Sequence, residues 1–184
     1  FGNHSTVALN MVDASALLWR LHLSRVDVGN RWQALAANWE PHADSANYAF
    51  NDAHAMMAFV GANRPDLARR LIGAQDAAIA GAGDNAAFTR DVGAPVARAI
   101  LAFGEGNYAE TVRLLKPIRS IAHRFGGSHA QRDVIDLTLI EATIRAGNAP
   151  LATALAAERQ TARPDSPFSH LIAKRAGLPE MTPI

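Results

Sequence analysis

Apolar positions along the chain recur at steps of three and four. Leu9, Val12, Ala16, Trp19, Leu23 and Val26 are spaced by 3, 4, 3, 4 and 3 residues, which predicts one amphipathic helix buried along that stripe. Beyond Gly29, Trp32, Leu35, Ala36 and Trp39 share the face of a second helix that stops near Pro41. Phe50, Ala53, Met57 and Val60 mark a third. A fourth follows the turn at 61–65, with Pro65 as its first residue, and runs to the wide loop at 80–85. Phe88, Val92, Ala99 and Phe103 predict the next helix, and residues 108–125 its partner. Pro95 and Pro117 fall inside these two, so each should kink or restart there. Val134, Leu137 and Ile144, with Glu141 in register, open a last pair that closes with 149–163. Ser166 as N-cap, Pro167, Phe168, Leu171 and Ile172 predict a short final helix, ended by Gly177 and barred from continuing by Pro179. No segment alternates as a strand would. The pattern is all-α.

The breaks repeat as well. Gly29, Gly61, Gly106 and Gly147 each follow an apolar run and stand 32, 45 and 41 residues apart. A left-handed glycine closing one helix before the next begins would produce this punctuation. Periods of this length predict stacked antiparallel hairpins. The expectation is about nine helices in one domain, with hairpins at 7–45, 46–80, 86–125 and 128–163 and a capping helix at 167–176. Two first helices also open alike, on Arg90-Asp91-Val92 and Arg132-Asp133-Val134, and close alike on Gly-Asn.

Composition narrows the function classes. The 184 residues suit one domain with a sizeable core. A net charge of +1 gives no broad electrostatic footprint for nucleic acid or anionic lipid. With no cysteine, disulfides, thiolate metal sites and a cysteine nucleophile are excluded. No apolar run approaches the roughly 18–20 residues of a membrane span, and no basic-then-apolar leader opens the chain. We therefore read a cytoplasmic protein that meets neither nucleic acid nor membrane and carries no cofactor and no metal.

Candidate chemistry gathers on the first helices. Asp13 and Arg20 are seven residues apart on one face. Asn47, Asn51 and His54 step by 4 and 3 with Asp52 beside them. Arg90, Asp91, Gln131, Arg132 and Asp133 open the third and fourth hairpins. In stacked hairpins the first helices line the concave surface, so these residues could converge on one groove and bind a peptide or protein partner. They could equally be a network that joins the hairpins. Asp91 and Asp133 suit the positive end of a helix, Arg132 and Asp136 are an i,i+4 pair, and His54 suits a hydrogen-bonded structural role. Arg132 is expected to reach a carboxylate or carbonyl of the preceding hairpin, and Asp133 to accept hydrogen bonds near 126–131. No metal, phosphate-loop or nucleophile-elbow spacing is present, so no catalytic residue is assigned. If the chain is instead part of an enzyme or small-molecule binder, His54 is the candidate acid–base, in a half-pocket with Asp13, Arg20, Asn51 and Asp133.

Two larger patterns carry a resemblance. "GNYAETVRLLKPI" (106–118) resembles the second helix of a tetratricopeptide repeat. "VDASALLWRL", "VDVGNRW", "FNDAHAMMAFVGA", "RDVGAP", "LLKPIR", "GGSHAQRDV" and "ER…RPDSP", in this order, resemble the tetratricopeptide repeat protein 38 family over nearly the whole chain. The resemblance implies a tetratricopeptide-like α-solenoid, with a further segment preceding Phe1. It brings no catalytic residues with it.

Overall fold

The structure, a computed structural model, describes residues 5–178. Pro179 and His4 lie outside them. Among the described residues every regular element is helical: α1 (Ala8–Leu23), α2 (Arg31–Trp39), α3 (Ala49–Gly61), α4 (Pro65–Ile79), α5 (Asp84–Phe88), α6 (Ala94–Gly104), α7 (Tyr108–Leu115), α8 (His129–Arg145), α9 (Ala149–Ala162) and α10 (Pro167–Arg175). A π-helical turn, Thr89–Gly93, joins α5 to α6 as one bent helix, so nine helices cross the molecule. Pro95 follows directly: it has no N–H to offer the carbonyl four residues back, and the wider turn absorbs the gap. Pro117 marks the change from α7 to a 3-10 segment, Lys116–Phe125.

The helix ends share one mechanism. At Gly106, the N–H of Asn107 reaches the Ala102 carbonyl at 2.8 Å, and at Gly147 that of Asn148 reaches Thr143 at 3.2 Å. Both glycines have positive φ, at 76° and 71°, as this left-handed closure requires. The asparagine then starts the next helix: Asn107 and Asn148 accept from the backbone N–H groups of Glu110 and Leu151. The repeated Gly-Asn is thus a stop and a start in two residues.

The first two turns differ from the expectation. α1 ends at Leu23, six residues before Gly29, because Arg25 takes the left-handed position at φ 60° and Val26 N–H reaches the Leu21 carbonyl at 2.9 Å. At the second turn Asn63, at φ 54°, closes α3, and Gly61 is the last helical residue. Gly61 is small for another reason: a Cβ there would sit inside the Trp32 indole.

Helix α3 is the centre. Ten of its thirteen residues are buried, and it packs against α1, α2, α4 and α6. A helix apolar on all sides belongs in an interior, and Ala49, Ala53, Ala55 and Ala58 let its neighbours approach. α1 packs on α3 and also on α8, so the first hairpin meets the fourth. Its buried face is Met11, Val12, Ser15, Ala16, Leu18, Trp19 and Leu23. Leu9 and Val26, expected at the ends of the buried stripe, are exposed. The stripe was read as one seam, whereas α1 serves several neighbours and its buried face is correspondingly wider.

Candidate functional site

The candidate residues separate into several places. Asp52 and His54, expected on an open inner face, are buried at 5% and 1% exposure. α3 has neighbours on every side, and Asp52 turns toward α4 while His54 turns toward the side that α1 covers. Asp52 accepts from Gln75 Nε2 at 3.3 Å, and burial pushes its carboxyl up to about 6 despite that bond. His54 donates from Nδ1 to the Phe50 carbonyl at 2.7 Å. Burial holds its imidazole down at about 4, so the ring is neutral and Nε2 has no partner. Asn51 is half-buried beside them, and Asn47 lies before α3 begins, off the expected stripe.

Arg90, Asp91 and Arg20 are joints. Arg90 Nε donates to its neighbour Asp91 at 3.0 Å, and Arg124 of the 3-10 segment reaches the other oxygen at 2.8 Å. Arg20 donates to Ala16 O at 3.1 Å and crosses to Ala130 O at 2.8 Å, bridging α1 and α8. Glu141, read from register alone, is a buried acceptor shared by Arg145 at 2.7 Å and Arg175 at 2.8 Å. It ties α10 onto α8.

The polar start of α8 divides its tasks. Ser128 and Gln131 form a capping box, each side chain accepting from the other's backbone N–H. Arg132 donates to the Gly126 and Gly127 carbonyls, in the loop just before its own helix. Its expected reach to the preceding hairpin stops at that loop, and the i,i+4 pair with Asp136 does not form. Instead Asp136 pairs with Arg119 of the 3-10 segment at 2.7 Å, and Arg119 also holds Glu158 at 2.9 Å. Asp133 was expected to bond near 126–131. It turns to α9, where Arg159 grips it at 2.7 and 3.0 Å and Arg163 adds a contact at 2.8 Å. Burial would raise the Asp133 carboxyl. The Arg159 hydrogen bonds, with the charges of Arg159, Arg163 and Arg20, more than offset that and hold it below the usual range.

These side chains wall a polar cavity of roughly 280 Å³ bounded by Arg119, Ser120, His123, His129, Arg132, Asp133, Asp136 and Arg163. The sequence pattern points to Arg132, Asp133 and Asp136 but not to Arg159 and Arg163. Arg159 on α9 and Arg163 at its C-cap stand four apart, the spacing that lets two arginines face one carboxylate, but only packing shows which carboxylate that is.

A second depression, of roughly 410 Å³, lies on the outer side of α1. Ala14, Leu17, Leu18, Leu21, Val26 and Val28 form its floor, with Asp13, Asp27 and Arg31 on the rim. Leu17 and Val26 are 54% and 48% exposed. Asp13 is the one candidate residue that lines it, and His54 lines neither cavity. No group of three or more His, Asp or Glu side chains among the described residues is placed to hold a metal ion. No helix among them is long and apolar enough to cross a membrane. No family model and no solved structure matches the chain.

Proposed function

We propose that the chain is an interaction module that receives an amphipathic helix of a partner protein in the groove on α1. The observation that carries this reading is the pair Leu17 and Val26, large apolar side chains left about half exposed over one depression. Covering such a side chain stabilises a complex by about 1.5–3 kcal/mol. Leu17 and Leu21 are four apart on α1 and make a ridge with Asp13, the geometry that seats a helix bearing apolar residues at i and i+4. The rim selects its flank. The two carboxylates Asp13 and Asp27 outnumber Arg31, which also donates to the Val28 carbonyl at 2.8 Å, so the margin is net acidic and a basic flank on the partner complements it.

α10 buries Ile172 and Ala173 against the last hairpin, whereas Leu17 and Val26 over the α1 groove are left about half exposed. The partner-binding role read from the polar residues of the first helices is retained here, on the outer side of α1 in place of the filled inner face.

The test is a selection of helical peptides displayed against the protein. The expected binders carry apolar residues at i and i+4 with flanking Lys or Arg, and Leu17→Glu abolishes their binding at an unchanged melting temperature. Binders indifferent to Leu17→Glu and Val26→Glu would overturn the reading. Self-association of the protein that Leu17→Glu abolishes would replace the partner with a second copy.

A further inference from the structure

The cavity walled by the 3-10 segment, α8 and α9 has the opposite chemistry to the α1 groove and is independent of it. Asp133 and Asp136 are the carboxylates on its wall, and both are already engaged, by Arg159 with Arg163 and by Arg119. Glu158 is engaged by Arg119 as well. Arg132 meets only backbone carbonyls among the described residues. The four guanidinium groups of Arg119, Arg132, Arg159 and Arg163 therefore meet three carboxylates, leaving one positive charge unmatched. The donors are in surplus too. Among the described residues His123, His129 and Ser120, which line the cavity, show no side-chain hydrogen bond.

We propose that this cavity binds a phosphate monoester. Its tetrahedral oxygens accept from several planar guanidinium forks at once. Arg163 is the residue best placed to complete the site. It lies at the end of α9 with its side chain 41% exposed, so it can turn to a ligand while Arg159 keeps Asp133. His129 and Arg132 supply donors from the start of α8. The volume of roughly 280 Å³ takes a phosphate and a few attached atoms, not a nucleotide. A small phosphorylated metabolite and a phosphorylated side chain present the same group.

Isothermal titration at fixed ionic strength tests this with three probes: inorganic phosphate, a phosphoserine peptide and acetate. The expected result is saturable one-to-one binding of both phosphates and none of acetate, with the tighter phosphate probe identifying the source. Arg163→Ala should weaken binding by about tenfold or more, the loss of one charge-assisted contact. Because Arg163 also touches Asp133, His129→Ala is the second variant. It breaks no hydrogen bond found in the fold and should weaken binding severalfold at an unchanged melting temperature. Arg113→Ala, on α7 and paired with Glu110 outside the cavity, should leave binding as it is. Absence of saturation, equal binding of acetate, or wild-type affinity in both Arg163→Ala and His129→Ala overturns the proposal.

Discussion

Trp19 Nε1 donates to Thr138 Oγ1 at 2.9 Å, joining α1 to α8 across 119 residues of chain. The threonine hydroxyl is itself committed, donating to the Val134 carbonyl at 2.7 Å, so its lone pairs face the indole. Trp39 repeats the device with Ser15, whose hydroxyl donates to Met11 O at 2.8 Å. Both rings are buried, and an indole N–H buried without an acceptor is costly. The hydroxyls remove that cost and fix the orientation of each ring. The contact between the first and fourth hairpins is therefore polar at its centre and apolar around it.

Trp19→Ala is expected to destabilise the protein by about 3–5 kcal/mol, the usual cost of emptying a buried aromatic site. Thr138→Val keeps the shape and removes the acceptor, and should cost about 1–3 kcal/mol. Urea denaturation of Trp19→Phe, of Thr138→Val and of the two combined measures the coupling. If the double variant loses the sum of the two single losses, the hydrogen bond does not join the hairpins energetically.

Asp133 should matter more to stability than its neighbour Arg132. Its removal leaves Arg159, 7% exposed at the side chain, without a counter-ion, and breaking such a buried pair costs about 3–5 kcal/mol. Arg132→Ala loses contacts to two loop carbonyls and should cost about 1 kcal/mol. Melting temperatures of the two variants decide the order, and equal losses would show that Arg159 finds another acceptor.

The all-helical fold was legible because apolar periodicity and the Gly-Asn stops state it locally. The first turns were less so. Arg25 and Asn63 take positions that glycine usually fills; asparagine does so readily, but nothing in the identity of Arg25 announces it. The joint at Asp133 depended on Arg159 and Arg163, residues 26 and 30 positions downstream, and only packing shows which of sixteen arginines meets which carboxylate. Asp52 and His54 looked like groove residues because polar side chains usually face water. Their burial follows from α3 having neighbours on every side, a tertiary fact that the stripe itself does not contain.

Acid titration should expose an internal compensation. His54 has a folded pKa of about 4 against about 6.5 unfolded, so its contribution is full above that upper value and is lost as pH falls toward 4. Asp52 runs the other way. Its folded pKa of about 6 exceeds the unfolded value of about 3.9, so its contribution is full at low pH and lost as pH rises through 6. Between about pH 4 and 6 the two slopes offset each other. Asp52→Asn should therefore be the more stable protein at neutral pH and should lose stability more steeply on acidification. Denaturant midpoints at several pH values report this, and parallel curves for the variant and the parent would contradict it.

Gly61→Ala separates the two reasons for a glycine at a helix end. Intrinsic propensity alone makes alanine better inside a helix by about 1 kcal/mol, and Gly61 has no positive φ to protect. The indole of Trp32 decides otherwise. Trp32 is 5% exposed and held between α2 and α3, so it has little room to retreat from a new methyl group. Overpacking of this kind costs about 1–3 kcal/mol, and the net expectation is a loss. Asn63→Gly tests the adjoining turn. The left-handed position there favours glycine, and a gain of a few tenths of a kcal/mol, up to about 1, is expected. Urea midpoints of the two variants should move in opposite directions. A stabilised Gly61→Ala would show that the indole yields, and that α2 rests on α3 less tightly than the structure has it.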